Sequence, residues 1–115
     1  MNLAIRGKKI DLTPAILDHI RQRMSAALDQ YSGRVRSVSV LLSDENGPRG
    51  GIDQLCRVHV HLLNGKTLRH TRRGDDLYVN VSLLADIVKS RVGRYLGKAR
   101  QYARTPLANP GALPG

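Results

Sequence analysis

The side chains with the most chemistry to offer lie near the end of the chain. Between Ile87 and Arg104 stand Lys89, Arg91, Arg94, Lys98, Arg100 and Arg104, with no acidic residue among them. At ~100° per residue of helix, Arg91, Arg94 and Lys98 fall on one flank of an apolar stripe, and Lys89, Arg100 and Arg104 on the other. Like charges four residues apart, such as Arg94 and Lys98, destabilise a helix by about 0.2–0.5 kcal/mol. A face with no acid to relieve that repulsion needs a partner that offsets it, and phosphates are the usual one. The chemistry offered is neutralisation of a polyanion.

Other clusters point to less. Arg69, Arg72 and Arg73 run towards Asp75 and Asp76, which can pair with them; Lys8 and Lys9 sit in a loop, where solvation accounts for them as well as contact does. Three histidines raise the question of a metal. If Asn64-Gly65 is a two-residue turn, Leu63 pairs with Lys66, which sets His59 opposite His70 with His61 on the same face. Three imidazoles suit zinc, but Arg57 and Arg72 are expected beside them and no carboxylate is near. The expectation is an exposed polar sheet face, with no metal and no cofactor. No phosphate loop, dinucleotide fingerprint or His-Glu-x-x-His occurs. Cys56 falls on the apolar parity of its strand and reads as a small core residue. Nothing predicts an enzyme or a small-molecule substrate.

The elements that must position the basic stretch follow from periodicity. Residues 2–6 alternate as a short strand. Thr13-Pro14 opens a helix, with Thr as N-cap and Pro at the first helical position. Ile16, Ile20, Met24, Ala27 and Tyr31 give it one apolar stripe, and Gly33 is expected to end it. Val38, Val40 and Leu42 alternate with polar neighbours, as do Cys56, Val58, Val60 and Leu62. Residues 43–53, with Gly47, Pro48, Gly50 and Gly51, read as a mobile loop. Asn64-Gly65 turns the third strand into a fourth over residues 66–72. Asp75-Asp76 caps a long amphipathic helix over residues 77–103, carrying Leu77, Val81, Leu84, Val88, Val92 and Tyr95 inward. Gly93 and Gly97 each cost it about 1 kcal/mol relative to alanine. The order β-α-β-β-β-α predicts an α+β two-layer sandwich: a four-stranded antiparallel sheet with both helices on one face.

Composition bounds the partner. The chain has 115 residues, room for one domain. Nineteen Lys and Arg against nine Asp and Glu give a net charge of +10 and a pI near 10.7. Such a balance selects polyanions, chiefly nucleic acid. With no Phe or Trp and four Tyr, of which Tyr31 and Tyr95 are expected inside, splayed bases find no stacking platform. Binding is expected through phosphate and sugar, by shape more than by sequence. No apolar run approaches the ~20 residues of a membrane span, and the single cysteine forms no internal disulfide. The expectation is a cytoplasmic protein with no membrane partner.

Four motifs in order resemble the hibernation-promoting factor and ribosome-associated inhibitor family. They are Leu3-Ala4-Ile5-Arg6-Gly7, Thr13-Pro14-Ala15, Asn64-Gly65-Lys66-Thr67-Leu68 and Asp75-Asp76-Leu77-Tyr78, and the resemblance covers residues 1–103. It implies a fold similar to double-stranded RNA-binding domains. It also implies binding to ribosomal RNA of the small subunit, in the channel of mRNA and tRNA, which inhibits translation under stress or in stationary phase. Basic residues of both helices make the contacts in that family. Arg23 matches the position in the first helix, and Arg94 and Lys98 fall within the basic end of the second. The chain departs from the family pattern at Val79 to Ser82, at Ile87 and at Ser90, so its basic surface is redistributed. The expected RNA-binding set is Arg23, Lys89, Arg91, Arg94, Lys98 and Arg100. Residues 1–103 are expected as one domain, monomeric off the ribosome, and 104–115 as a disordered tail, as in the short form of the family. Two alternatives remain open: a regulator whose basic helix docks on an acidic protein, and a general binder of structured RNA.

Overall fold

The computed structural model describes residues 2–45 and 53–104, with side chains up to Gly97. In chain order the elements are β1 (Asn2–Lys8), α1 (Pro14–Leu28), β2 (Val35–Asp44), β3 (Gln54–Leu62), β4 (Thr67–Gly74) and α2 (Leu77–Arg104). The strands lie in that order across one sheet. Both helices pack on the same face, burying Ile16, Ile20 and Met24 from α1 and Val81, Leu84 and Val88 from α2 against Val38, Val40, Val58 and Val60. No helix among the described residues is long and apolar enough to cross a membrane.

The sheet is mixed, not antiparallel as the alternation suggested. β1 pairs parallel to β2, with Leu3 opposite Val38 and Ile5 opposite Val40. The cause is the helix between them. A parallel neighbour needs a crossover of a dozen or more residues, and α1 supplies it, so the first three elements form a βαβ unit. Only β2–β3 and β3–β4 are antiparallel. The predicted loop is also shorter than expected, because β2 runs to Asp44 and β3 starts at Gln54; the rest of it, 46–52, lies outside the described residues.

The caps are those the residue types demand. Thr13 Oγ accepts from the Ile16 amide at 3.2 Å with Pro14 next in line, and Asp76 Oδ1 accepts from the Val79 amide at 3.2 Å. α1 ends at Leu28, earlier than Gly33, and tightens into a 3₁₀ turn over Asp29–Tyr31. The two helices run alongside each other in the same direction. His19 Nε2 lies 3.0 Å from both the Tyr78 carbonyl and Ser82 Oγ at the start of α2, while Tyr31 closes on Gly93 further along.

The β3–β4 turn differs by one residue from the expectation, with large effect. Leu62 and Lys66 close a three-residue loop in which Gly65 takes φ 94° and Asn64 Oδ1 accepts from the Lys66 amide at 2.9 Å. The slip sends every β4 side chain to the opposite face. His70 therefore pairs with Val58 and Arg72 with Cys56, on the helix side, while Arg69, Thr71 and Arg73 face outward. The expected three-histidine face is not formed: His59 and His61 share the open face, 6.2 Å apart, without His70.

Candidate nucleic-acid interface

Of the six basic residues proposed from sequence, Arg23, Lys89, Arg91 and Arg94 have described side chains, and all four are exposed. The side chains of Lys98 and Arg100 lie outside the described residues, although their backbone continues α2. The two flanks of the helix have different neighbours. One faces β4: Arg91 and Arg94 line a groove of about 240 Å³ with Leu68, His70 and Tyr95. The other faces α1: Lys89 lies two turns after Ser82, the residue that His19 of α1 touches. Arg23 follows His19 by one turn on α1, so by helical spacing Arg23 and Lys89 fall on the sides of their helices that turn towards the α1–α2 seam.

The β4 groove carries its charge on a fixed frame. Tyr95 spans it, its hydroxyl accepting from Asn64 Nδ2 in the hairpin turn at 3.1 Å. Asn80 is buried and donates to the Gln54 carbonyl at 3.2 Å, tying the first turns of α2 to the start of β3. Its carboxamide lies 2.5 Å from where a Cβ on Gly74 would stand, so that glycine is required for the close approach. Sequence reading gave Asn80 no structural role and set His70 on the open sheet face, not in this groove. The one-residue hairpin slip explains His70; a lone polar residue amid an apolar stripe was the available signal for Asn80.

Electrostatics in the groove are one-sided. Burial pushes the pKa of His70 down and the Arg91 charge pushes it further, so the imidazole is neutral near pH 7. His70 Nε2 and Arg72 Nε are buried without a hydrogen-bond partner among the described residues. Neither Arg91 nor Arg94 has an ion pair among the described residues. Guanidinium forks such as these are suited to charge-assisted hydrogen bonds with phosphate oxygens.

Reactive chemistry is not favoured here. Cys56 is fully buried and its thiol is pushed up to about 12, away from the thiolate a nucleophile needs. Among the described residues no group of three or more His, Cys, Asp or Glu is placed to hold a metal ion.

Comparison with known proteins bears on the partner. Residues 3–100 match the family described as "Sigma 54 modulation protein / S30EA ribosomal protein". The chain is 26% identical over 102 residues to a ribosome hibernation promoting factor of Klebsiella oxytoca, an alignment covering 89% of this chain and 100% of that one. In fold it is similar to a ribosomal subunit interface protein of Coxiella burnetii, with TM-score 0.73, 16% identity and coverage of 84% and 99%. It is likewise similar to the N-terminal domain of Protein Y of Thermus thermophilus, with TM-score 0.68, 22% identity and coverage of 83% and 99%.

Proposed function

The chain belongs to the sigma 54 modulation protein / S30EA ribosomal protein family, and from that premise we propose that it is a ribosome hibernation factor. It binds the small ribosomal subunit through ribosomal RNA of the mRNA and tRNA channel, and so inhibits translation under stress or in stationary phase. It acts by occupancy and not as an enzyme. Residues 1–103 are the binding unit, monomeric off the ribosome, and it works in the cytoplasm, where bacterial ribosomes do.

The observation that carries this reading is the exposed Arg91–Arg94 flank beside the β4 groove, without an ion pair among the described residues, on a helix whose last 18 positions hold no acid. Lys98 and Arg100 continue that basic end, and Arg23 and Lys89 add charge at the α1–α2 seam. Phosphates are the chemistry that offsets such a surface, and structured ribosomal RNA presents them at high density. The absence of Phe and Trp supports backbone contact over base stacking.

Sedimentation of stationary-phase lysate through a sucrose gradient tests the reading. The protein is expected with the small-subunit and whole-ribosome fractions. Its presence only at the top of the gradient, or with structured RNA other than the ribosome, overturns it in favour of an acidic protein partner or a general RNA binder.

A further inference from the structure

The sheet face turned away from the helices has a composition that the α2 reading does not use. Its outward positions on the four strands carry Lys8, Arg6, Arg57, Arg69 and Arg73 and no acidic residue. Arg73 is committed to Glu45 and Asp53, at 3.1 and 3.3 Å, at one end of the sheet, and Lys8 also acts on Glu45. Arg6, Arg57 and Arg69 have no ion pair among the described residues. Apart from Glu45 and Asp53, which Arg73 engages, no acidic side chain is placed on this side of the sheet by the strand register.

The register fixes how these cations are spaced. Arg6 and Arg57 share one row across the sheet with Leu41 between them, so their strands are about 10 Å apart. The next row reads Ala4, Ser39, His59, Arg69. Small side chains at Ala4 and Ser39 leave a shallow channel of about 470 Å³ walled by Arg6, Arg57 and His59. Their fields overlap there: after burial, the charges of Arg69 and Arg57 are what push the pKa of His59 down. Clustered like charge costs self-repulsion unless a polyanion lies on it. Leu41, half-buried, is the large apolar side chain on the outward side of this channel, whereas a protein partner needs an apolar centre to its interface.

We propose that the open sheet face is a second RNA-binding surface, on which the backbone of one RNA segment crosses the channel between Arg6, Arg57 and Arg69 while α2 holds another. The domain is then held between two walls of RNA. This rests on the ribosome-binding reading, and its test separates the two.

The variant Arg57→Glu/Arg69→Glu is measured for small-subunit affinity across a salt series, with circular dichroism as the folding control. If each arginine neutralises one phosphate, the slope of log affinity against log salt flattens by between about one and two units. Combining it with Arg91→Glu/Arg94→Glu should add the two losses, because the surfaces are on opposite faces. A photoreactive Thr71→p-benzoylphenylalanine, exposed beside Arg57, should cross-link to ribosomal RNA. Wild-type protein that binds subunits while R57E/R69E keeps its affinity and slope overturns the inference and leaves the function standing. A cross-link to ribosomal protein overturns it too. Wild-type protein that does not bind at all removes the function, and this inference with it.

Discussion

His59 and His70 stand on opposite faces of the sheet, and both hold a proton less readily than free imidazole. Burial is the first cause for each; Arg69 and Arg57 add to it at His59, and Arg91 at His70. In the unfolded chain both titrate near pH 6.5. Above that value neither state is protonated, and the fold bears no penalty. As pH falls below about 6.5, the unfolded chain takes up protons that the folded chain refuses, so stability drops. Thermal melts between pH 7 and 5 should therefore show a falling melting temperature, and H59Q/H70Q should flatten that fall. An equal fall in the variant would mean that other groups carry it. At this scale the sequence was legible only in part. The types and numbers of basic residues were plain, but which face His70 and Arg72 occupy depends on whether the Asn64-Gly65 turn spans two or three residues. One residue of register reverses a whole strand, and no local pattern in Lys66 to Arg72 settles it, since polar residues occupy both parities.

The elements themselves were easier to read. Thr13-Pro14 and Asp76 cap their helices as their chemistry requires, and strand alternation located β2, β3 and β4. The parallel pairing of β1 was there to be read from a strand, a helix and a strand in succession, and the hairpins further on obscured it. The glycines of α2 were legible as costs and not as causes. Gly93 has Tyr31 of the 3₁₀ turn directly against it, so any side chain there collides with the phenol. Gly97 has nothing within 4 Å of its would-be Cβ. G93A should thus destabilise by about 0.5–2 kcal/mol net, because overpacking against Tyr31 outweighs the helix-propensity gain of alanine. G97A should stabilise by about 0.5–1 kcal/mol through helix propensity. Chemical denaturation of the two variants checks this; effects of the same sign would show that the Tyr31 contact does not govern position 93.

Across the whole molecule, charge and fold divide the work. The core between helices and sheet is apolar, and the ion pairs formed among the described residues engage Arg21 on α1 and Arg73 at one end of the sheet. What is left is an acid-free second half of α2 and a sheet face whose acids, Glu45 and Asp53, are engaged by Arg73 at one end, on a chain of net charge +10. The net charge is plain from composition alone; its division between two faces is not, because that depends on the strand register. Association through such surfaces is governed by counterion release, so salt is the variable that reports on it. The most direct measurement is small-subunit affinity of wild type and of R91E/R94E/K98E across a salt series, with circular dichroism to confirm the fold. Arg91 and Arg94 are exposed beside the buried stripe, and Lys98 falls on the same flank by helical spacing, so the fold should persist. If each neutralises one phosphate, the slope of log affinity against log salt should flatten by about two to three units. A folded variant with the wild-type slope would contradict the assignment of α2 as the main RNA contact.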